Sequence, residues 1–161
     1  MSKRIDVKVL SPVVGTLYPP ALDEPCRSRE RRRIGNAAGL TQFGVSFVCL
    51  PPGAWWSQRR RHAETDELAY VLSGELVRMT DDGEEIWRAG DAAGVKANDR
   101  NAHDLQNRSS AQATYLGTGT RVVGDAATYP DVDLLSPPAQ KPTHRDGAPY
   151  PKQERRGPGT T

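Results

Sequence analysis

Residues 67–91, ELAYVLSGELVRMTDDGEEIWRAGD, decide the fold class. Residues 67–72 and 75–80 are short runs rich in Leu, Val and other apolar side chains, parted by Ser73-Gly74. Asp81-Asp82-Gly83 then turns the chain into residues 84–88, because Gly accepts the positive φ that a tight hairpin demands. Ala89-Gly90-Asp91 is a further turn, leading to residues 92–96. The same signals continue outward. Residues 44–50 form an apolar run halted by Pro51-Pro52-Gly53, and residues 103–107 and 113–117 follow a polar loop. Gly117-Thr118-Gly119-Thr120 is too short for a phosphate loop and reads as a strand end. No helical period of useful length occurs in this zone. Seven or so strands at this spacing predict an all-β antiparallel sandwich or closed barrel.

The strand at residues 67–72 carries apolar side chains on both faces after Glu67, so both faces should be covered. One face can line the barrel. The other calls for the amino-terminal arm or a second subunit, which makes a homodimer the expectation.

Composition divides the chain into three zones. Residues 1–40 are an arm with an extended piece at 5–10, a stretch broken by Pro19-Pro20, and a basic run at 27–33. Residues 41–124 form the barrel. Residues 125–161 are a Pro- and Gly-rich tail whose end, QERRGPGTT, lacks apolar side chains and is expected to be disordered. The 161 residues suit one domain. A net charge of +2 gives no global attraction to nucleic acid or an anionic membrane, so neither is an expected partner. The start, MSKRIDVKVLSPVV, has no long apolar segment, and the two cysteines lack metal spacing. A cytoplasmic location is the simplest expectation. Cys49 sits among apolar neighbours and reads as core, and His144 reads as an exposed tail residue. The basic run at 27–33 is interrupted by Ser28 and Glu30 and has no aromatic partners, so a solvated arm or a subunit contact fits it better than a phosphate site.

The chemistry concentrates in His62, Glu67 and His103. If His62 points into the barrel, Arg60 does too, since residues two apart on a strand share a face. Glu67 opens one strand and His103 a later one, so two imidazoles and a carboxylate can converge on a divalent metal such as Zn, Fe, Mn or Ni. Trp55 and Trp56 follow the Pro-Pro-Gly turn; one packs, and Trp56 is the candidate for bounding a ligand at the mouth.

Gly53, Arg60-Arg61-His62, Glu67 and Gly74, followed by Gly90, His103 and Asn107, resemble the two motifs of the cupin superfamily. The resemblance spans residues 41–120 and implies a jelly-roll barrel with a metal at its open end, held by His62, Glu67 and His103. The arm, barrel and Tyr129-Pro130-Asp131-Val132-Asp133 stretch are similar to small bacterial cupins often grouped with sugar-phosphate isomerases. The chain departs from the pattern: Arg60 stands where the first His is usual, Lys96 and Asn98 replace Pro and Gly, and the spacings before Arg60 and His103 are longer. Three roles are open to Arg60. It can pair with Glu67 and occupy the metal position, stand beside a three-ligand metal and grip an anionic substrate, or extend its stem to the barrel mouth.

Two functions follow. In the first, a metal-dependent isomerase, lyase or dioxygenase acts on a small polar or anionic molecule, with Arg60 and Glu67 catalytic and Arg60, Trp56 and Asn107 binding the ligand. In the second, Arg60 and Glu67 replace the metal site and the cup binds a small molecule without turnover.

Overall fold

The computed structural model describes residues 4–151, so the QERRGPGTT end lies outside the described residues. In chain order the elements are β1 (Val13–Val14), β2 (Glu30–Arg32), a one-turn helix α1 (Ile34–Ala37), β3 (Phe43–Leu50), β4 (Arg61–His62), β5 (Glu67–Ser73), β6 (Glu75–Thr80), β7 (Gly83–Arg88), β8 (Ala92–Val95), β9 (Asp104–Gln106), β10 (Ala113–Thr120), β11 (Ala127–Thr128) and β12 (Leu135–Ser136). All ladders are antiparallel: one sheet runs β1-β2-β3-β10-β5-β8, a second β7-β6-β9, and a small third β12-β11-β4. This is the jelly-roll architecture.

The core lies between the first two sheets. Val48, Leu50 and Val71 from one meet Leu76, Trp87 and Leu105 from the other. Val48, Leu50, Val71 and Leu76 have no exposed surface, and each such side chain stabilises the fold by about 1.5–3 kcal/mol. The passage from β5 to β6 depends on Gly74. Its φ is +78°, and a Cβ there would lie 2.8 Å from Ala113 Cα and Gln112 O, closer than backbone atoms can yield.

Several expectations need correction. Residues 5–10 are not extended: Val7–Val9 form a 3-10 turn, because the Asp6 carboxylate accepts the Lys8 amide at 3.0 Å and caps it. The basic run is not a solvated arm, since Glu30–Arg32 pairs with Phe47–Cys49 of β3 and extends the large sheet. His144 is only half-exposed; it bonds Asp133 at 2.7 Å and stacks on Tyr150. The tail also adds strands, for β11 pairs with β4 at the barrel mouth.

The outward face of β5 is not covered by the arm, whose strands lie beside β3. Leu68, Tyr70 and Leu72 remain 46%, 42% and 38% exposed. Register places Gly94, Leu68, Thr118 and Val45 in one row and Ala92, Tyr70, Leu116 and Phe47 in the next, uncharged across these four strands, with Arg32 of β2 beside Phe47 at the far end of the second row.

Candidate functional site

A cavity of about 350 Å³ opens at one end of the barrel, lined among others by Trp56, Arg60, His62, Glu67, His103 and Tyr115. That volume is in the range of small-molecule pockets. Backbone pairing assembles it. Arg60 and His103 exchange two hydrogen bonds, Arg60 N to His103 O at 3.0 Å and His103 N to Arg60 O at 2.8 Å. Their side chains therefore start side by side. Glu67 enters from the first position of β5, between β8 and β10.

The structure brings Arg60, His62, Glu67 and His103 together, with Arg60 at the centre. Arg60 Nε donates to His62 Nε2 at 2.8 Å, and Arg60 Nη2 donates to Glu67 Oε1 at 3.0 Å. His103 Nε2 donates to the other oxygen of Glu67 at 2.9 Å. On the far side of His62, Nδ1 donates to Asp125 Oδ2 at 2.6 Å, which fixes the tautomer and leaves Nε2 as acceptor for Arg60. Asp125 arrives because β11 pairs Ala127 with His62, and its other oxygen accepts the Glu64 amide at 2.8 Å.

The electrostatics follow from this packing. Burial would raise the Glu67 carboxyl, but the Arg60 charge and the His103 hydrogen bond outweigh it and hold the group far below the usual carboxylate range. Burial opposes the Arg60 charge too, yet Glu67 more than offsets that and keeps it firmly protonated. Burial, then the Arg60 charge, lower the His62 pKa and keep the ring neutral, against the pull of Glu67 and Asp125. Deeper in the barrel Asp104, 1% exposed, is pushed up to about 6 by burial although it accepts the Ser57 amide at 3.0 Å and the Ser57 hydroxyl at 3.2 Å.

The donor types His, His and carboxylate suit a divalent metal, but the atoms that face one another are already engaged, and the free lone pair of His103 is on Nδ1, the ring nitrogen that does not face Glu67. Both oxygens of Glu67 and Nε2 of His62 face N–H groups, and a dication would sit against the Arg60 guanidinium. Among the described residues no group of three or more His, Cys, Asp or Glu is arranged to hold a metal. The residues present do not fit a metal here.

Trp56 lines the cavity and meets Tyr115 edge-to-face at 5.8 Å, whereas Trp55 packs on the second core cluster around Tyr18 and Tyr129. Asn107 does not reach the cavity. It is fully buried, donates to Leu50 O and Ala111 O at 2.7 Å, and accepts from Ser109. Its amide ties strand ends together and is spent. Cys49 is buried, and burial raises its thiol pKa as expected of a core residue. Arg31, Asp104, Tyr115 and Asp125 were not evident from sequence.

The family profile described as "Cupin domain" matches residues 46–119. A crystal structure of a sugar phosphate isomerase of the cupin superfamily from Silicibacter pomeroyi is 38% identical, with 92% of this chain and 97% of that chain covered and a TM-score of 0.85. The chain belongs to the cupin superfamily. At 20% identity, a putative sugar phosphate isomerase from Acidithiobacillus ferrooxidans shares the fold, covering 86% of this cupin and 88% of that chain with a TM-score of 0.72. A polyketide cyclase from Streptomyces resistomycificus shares it at 16% identity over 74% of this chain and 80% of its own, with a TM-score of 0.61. The cupin fold thus carries enzymes of unlike chemistry, and fold alone assigns none of them here. No curated protein matches the chain. Among the described residues no helix is long and apolar enough to cross a membrane.

Proposed function

We propose that this cupin binds a small organic anion in a metal-free pocket, the Arg60 guanidinium serving as the positive centre that a metal supplies in the family pattern. One observation carries the reading: Arg60 lies between His62 and Glu67, hydrogen-bonded to both, while His103 holds the remaining oxygen of Glu67. This is the first of the three roles open to Arg60. Proton chemistry finds little support in Glu67 and His62, and the cavity group nearest the working range is Asp104, pushed up to about 6. A general base works best with a pKa near the operating pH. Glu67 is held far below that, and the one acceptor nitrogen of neutral His62 is occupied by Arg60.

A second reading, isomerisation of a sugar phosphate, is favoured by the 38% identity to the Silicibacter pomeroyi protein over 92% of the chain. It needs only the same pocket and a better-placed base in the bound state.

Protein purified without added metal, analysed for elements and then titrated with sugar phosphates and small carboxylates, tests the proposal. We expect no stoichiometric metal, with binding seen by calorimetry. Stoichiometric metal that is lost in both His62→Ala and His103→Ala would refute the metal-free reading. Conversion of an aldose phosphate to its ketose, followed by a coupled assay, would establish the second reading over simple binding.

A further inference from the structure

The basic run of the arm places a guanidinium inside the barrel. In the ladder of β2 with β3, Arg31 is opposite Val48, which has no exposed surface, so Arg31 points inward. Its neighbours Glu30 and Arg32 point out and pair with each other at 3.5 Å. Arg31 lines the cavity, with its guanidinium carbon 5.8 Å from the centre of the Trp56 ring.

The other arginines at this end are satisfied: Arg78 pairs with Glu85 at 3.2 Å, and Arg121 donates to the Leu40 carbonyl at 2.9 Å and to the Asn36 side chain. Arg60 has Glu67 and His62. Arg29 stacks 4.4 Å over Trp56 and donates to the carbonyls of Gly15 and Trp56. Arg31 has no such partner: its Nε is buried without a hydrogen bond, and no carboxylate among the described residues pairs with it. Burial first, then the charges of Arg33, Arg29 and Arg60, lower its pKa to about 10. Arg31 is half-buried, and a cation partly withdrawn from water without a counter-charge costs stability. Beside it, Tyr115 is 2% exposed and its hydroxyl also lacks a partner. Two unmatched donors thus flank Trp56. The nearby walls supplied by Trp56, Ala69, Ala93 and Val95 are apolar.

We infer that Arg31 receives the anionic group of the ligand, a single carboxylate or phosphate on a small, largely carbon body that lies along Trp56. The inference rests on the cup being an organic-anion pocket, and it deepens that reading by moving the contact from Arg60, whose charge Glu67 already neutralises, to the arm. A planar guanidinium binds either oxyanion by two parallel hydrogen bonds.

Calorimetric titration of the wild type, Arg31→Met, Arg31→Lys and the outward-facing control Arg32→Met with phenylacetate, phenyl phosphate and inorganic phosphate tests it. The organic probes should bind the wild type and Arg32→Met alike, and Arg31→Met should bind about 10- to 100-fold more weakly, as expected for a lost charge-assisted pair. Arg31→Lys, which keeps the charge but not the fork, should fall between. Preference for phenyl phosphate or phenylacetate identifies the anionic group, and inorganic phosphate alone should bind more weakly than phenyl phosphate if the carbon body is held. In anion-free buffer Arg31→Met should melt no lower than the wild type. Binding by the wild type with Arg31→Met unchanged would overturn the role of Arg31 and leave the anion pocket standing. Failure of the wild type to bind any probe would overturn both. Loss of the fold in Arg31→Met would also overturn the inference, because the charge would then be structural.

Discussion

Removing the Arg60 guanidinium should turn this cup into a metal site at a cost in stability. Arg60 and Glu67 side chains are 12% and 22% exposed, so the pair is largely shielded from water. Breaking one partner out of a buried pair costs about 3–5 kcal/mol because the other charge is stranded. Arg60→Ala should sit near the low end, about 3 kcal/mol, since Glu67 keeps the His103 hydrogen bond and His62 can take up a proton. The variant also frees Nε2 of His62 and one oxygen of Glu67. Zinc at a hundred times its Kd would then restore about 2.7 kcal/mol. Urea unfolding followed by tryptophan fluorescence, with EDTA or with zinc, reads both effects. The wild type should ignore zinc. A pH series adds a sign. In the wild type the folded His62 pKa lies below its ordinary 6.5, so its contribution is present above 6.5 and is lost as pH falls below it. In Arg60→Ala the repelling charge is gone while Glu67 and Asp125 still face the ring. Burial, the larger depressing cause, remains, so the folded pKa should rise toward 6.5 and the loss of stability below pH 6.5 should shrink relative to the wild type. Equal stability of the two proteins in EDTA, or equal zinc stabilisation of both, would refute the reasoning.

Asp104 provides an independent pH test. Its folded pKa of about 6 exceeds the ordinary 3.8, so the native state holds the proton more tightly and stability falls as pH rises from 3.8 to about 6. Asp104→Asn keeps an acceptor for Ser57 and should remove that fall, on the order of 2 kcal/mol between pH 4.5 and pH 7, in thermal melts compared at those two values. The outer rows through Leu68 and Tyr70, uncharged across four strands, suit a second copy of the chain, because a two-fold axis brings an apolar patch onto itself without opposing like charges. Light scattering at micromolar concentration should give a mass of two chains for the wild type and one for Tyr70→Glu; a wild type of single-chain mass would end the expectation.

The strands were legible because residues 67–91 confine their alternation between Gly-bearing turns, and β6 falls at the expected 75–80. His62, Glu67 and His103 were legible as a group because the motif spacing sets them at strand ends: His62 closes β4, Glu67 opens β5 and His103 precedes β9. What the spacing could not show is which atoms they spend on one another. Arg31 was missed because a local run of arginines looks solvated; its inward aim follows from pairing with Val48, seventeen positions away, and only the period of two in Glu30-Arg31-Arg32 hinted at it. Asp125 was missed because it lies past the barrel boundary, and it reaches His62 only through the β4–β11 ladder. Asn107 misled because its motif position is kept while its amide works on Leu50 and Ala111. The outward side of residues 67–72 was rightly read as apolar, but the arm goes elsewhere in the sheet.

The joining of His62 to Asp125, 63 positions apart, bears on how the protein is made. On a ribosome the imidazole emerges long before the carboxylate that orients it, and the β11 strand that clasps it follows later still. The anchor pairing of Arg31 with β3 can form once residue 50 is out, whereas the mouth is finished only after β11 at residues 127–128 has followed. Distant pairings of this kind slow folding. Chains caught before that closure carry a loose β4, and a stalled or truncated product would present the cup's ionised interior to water.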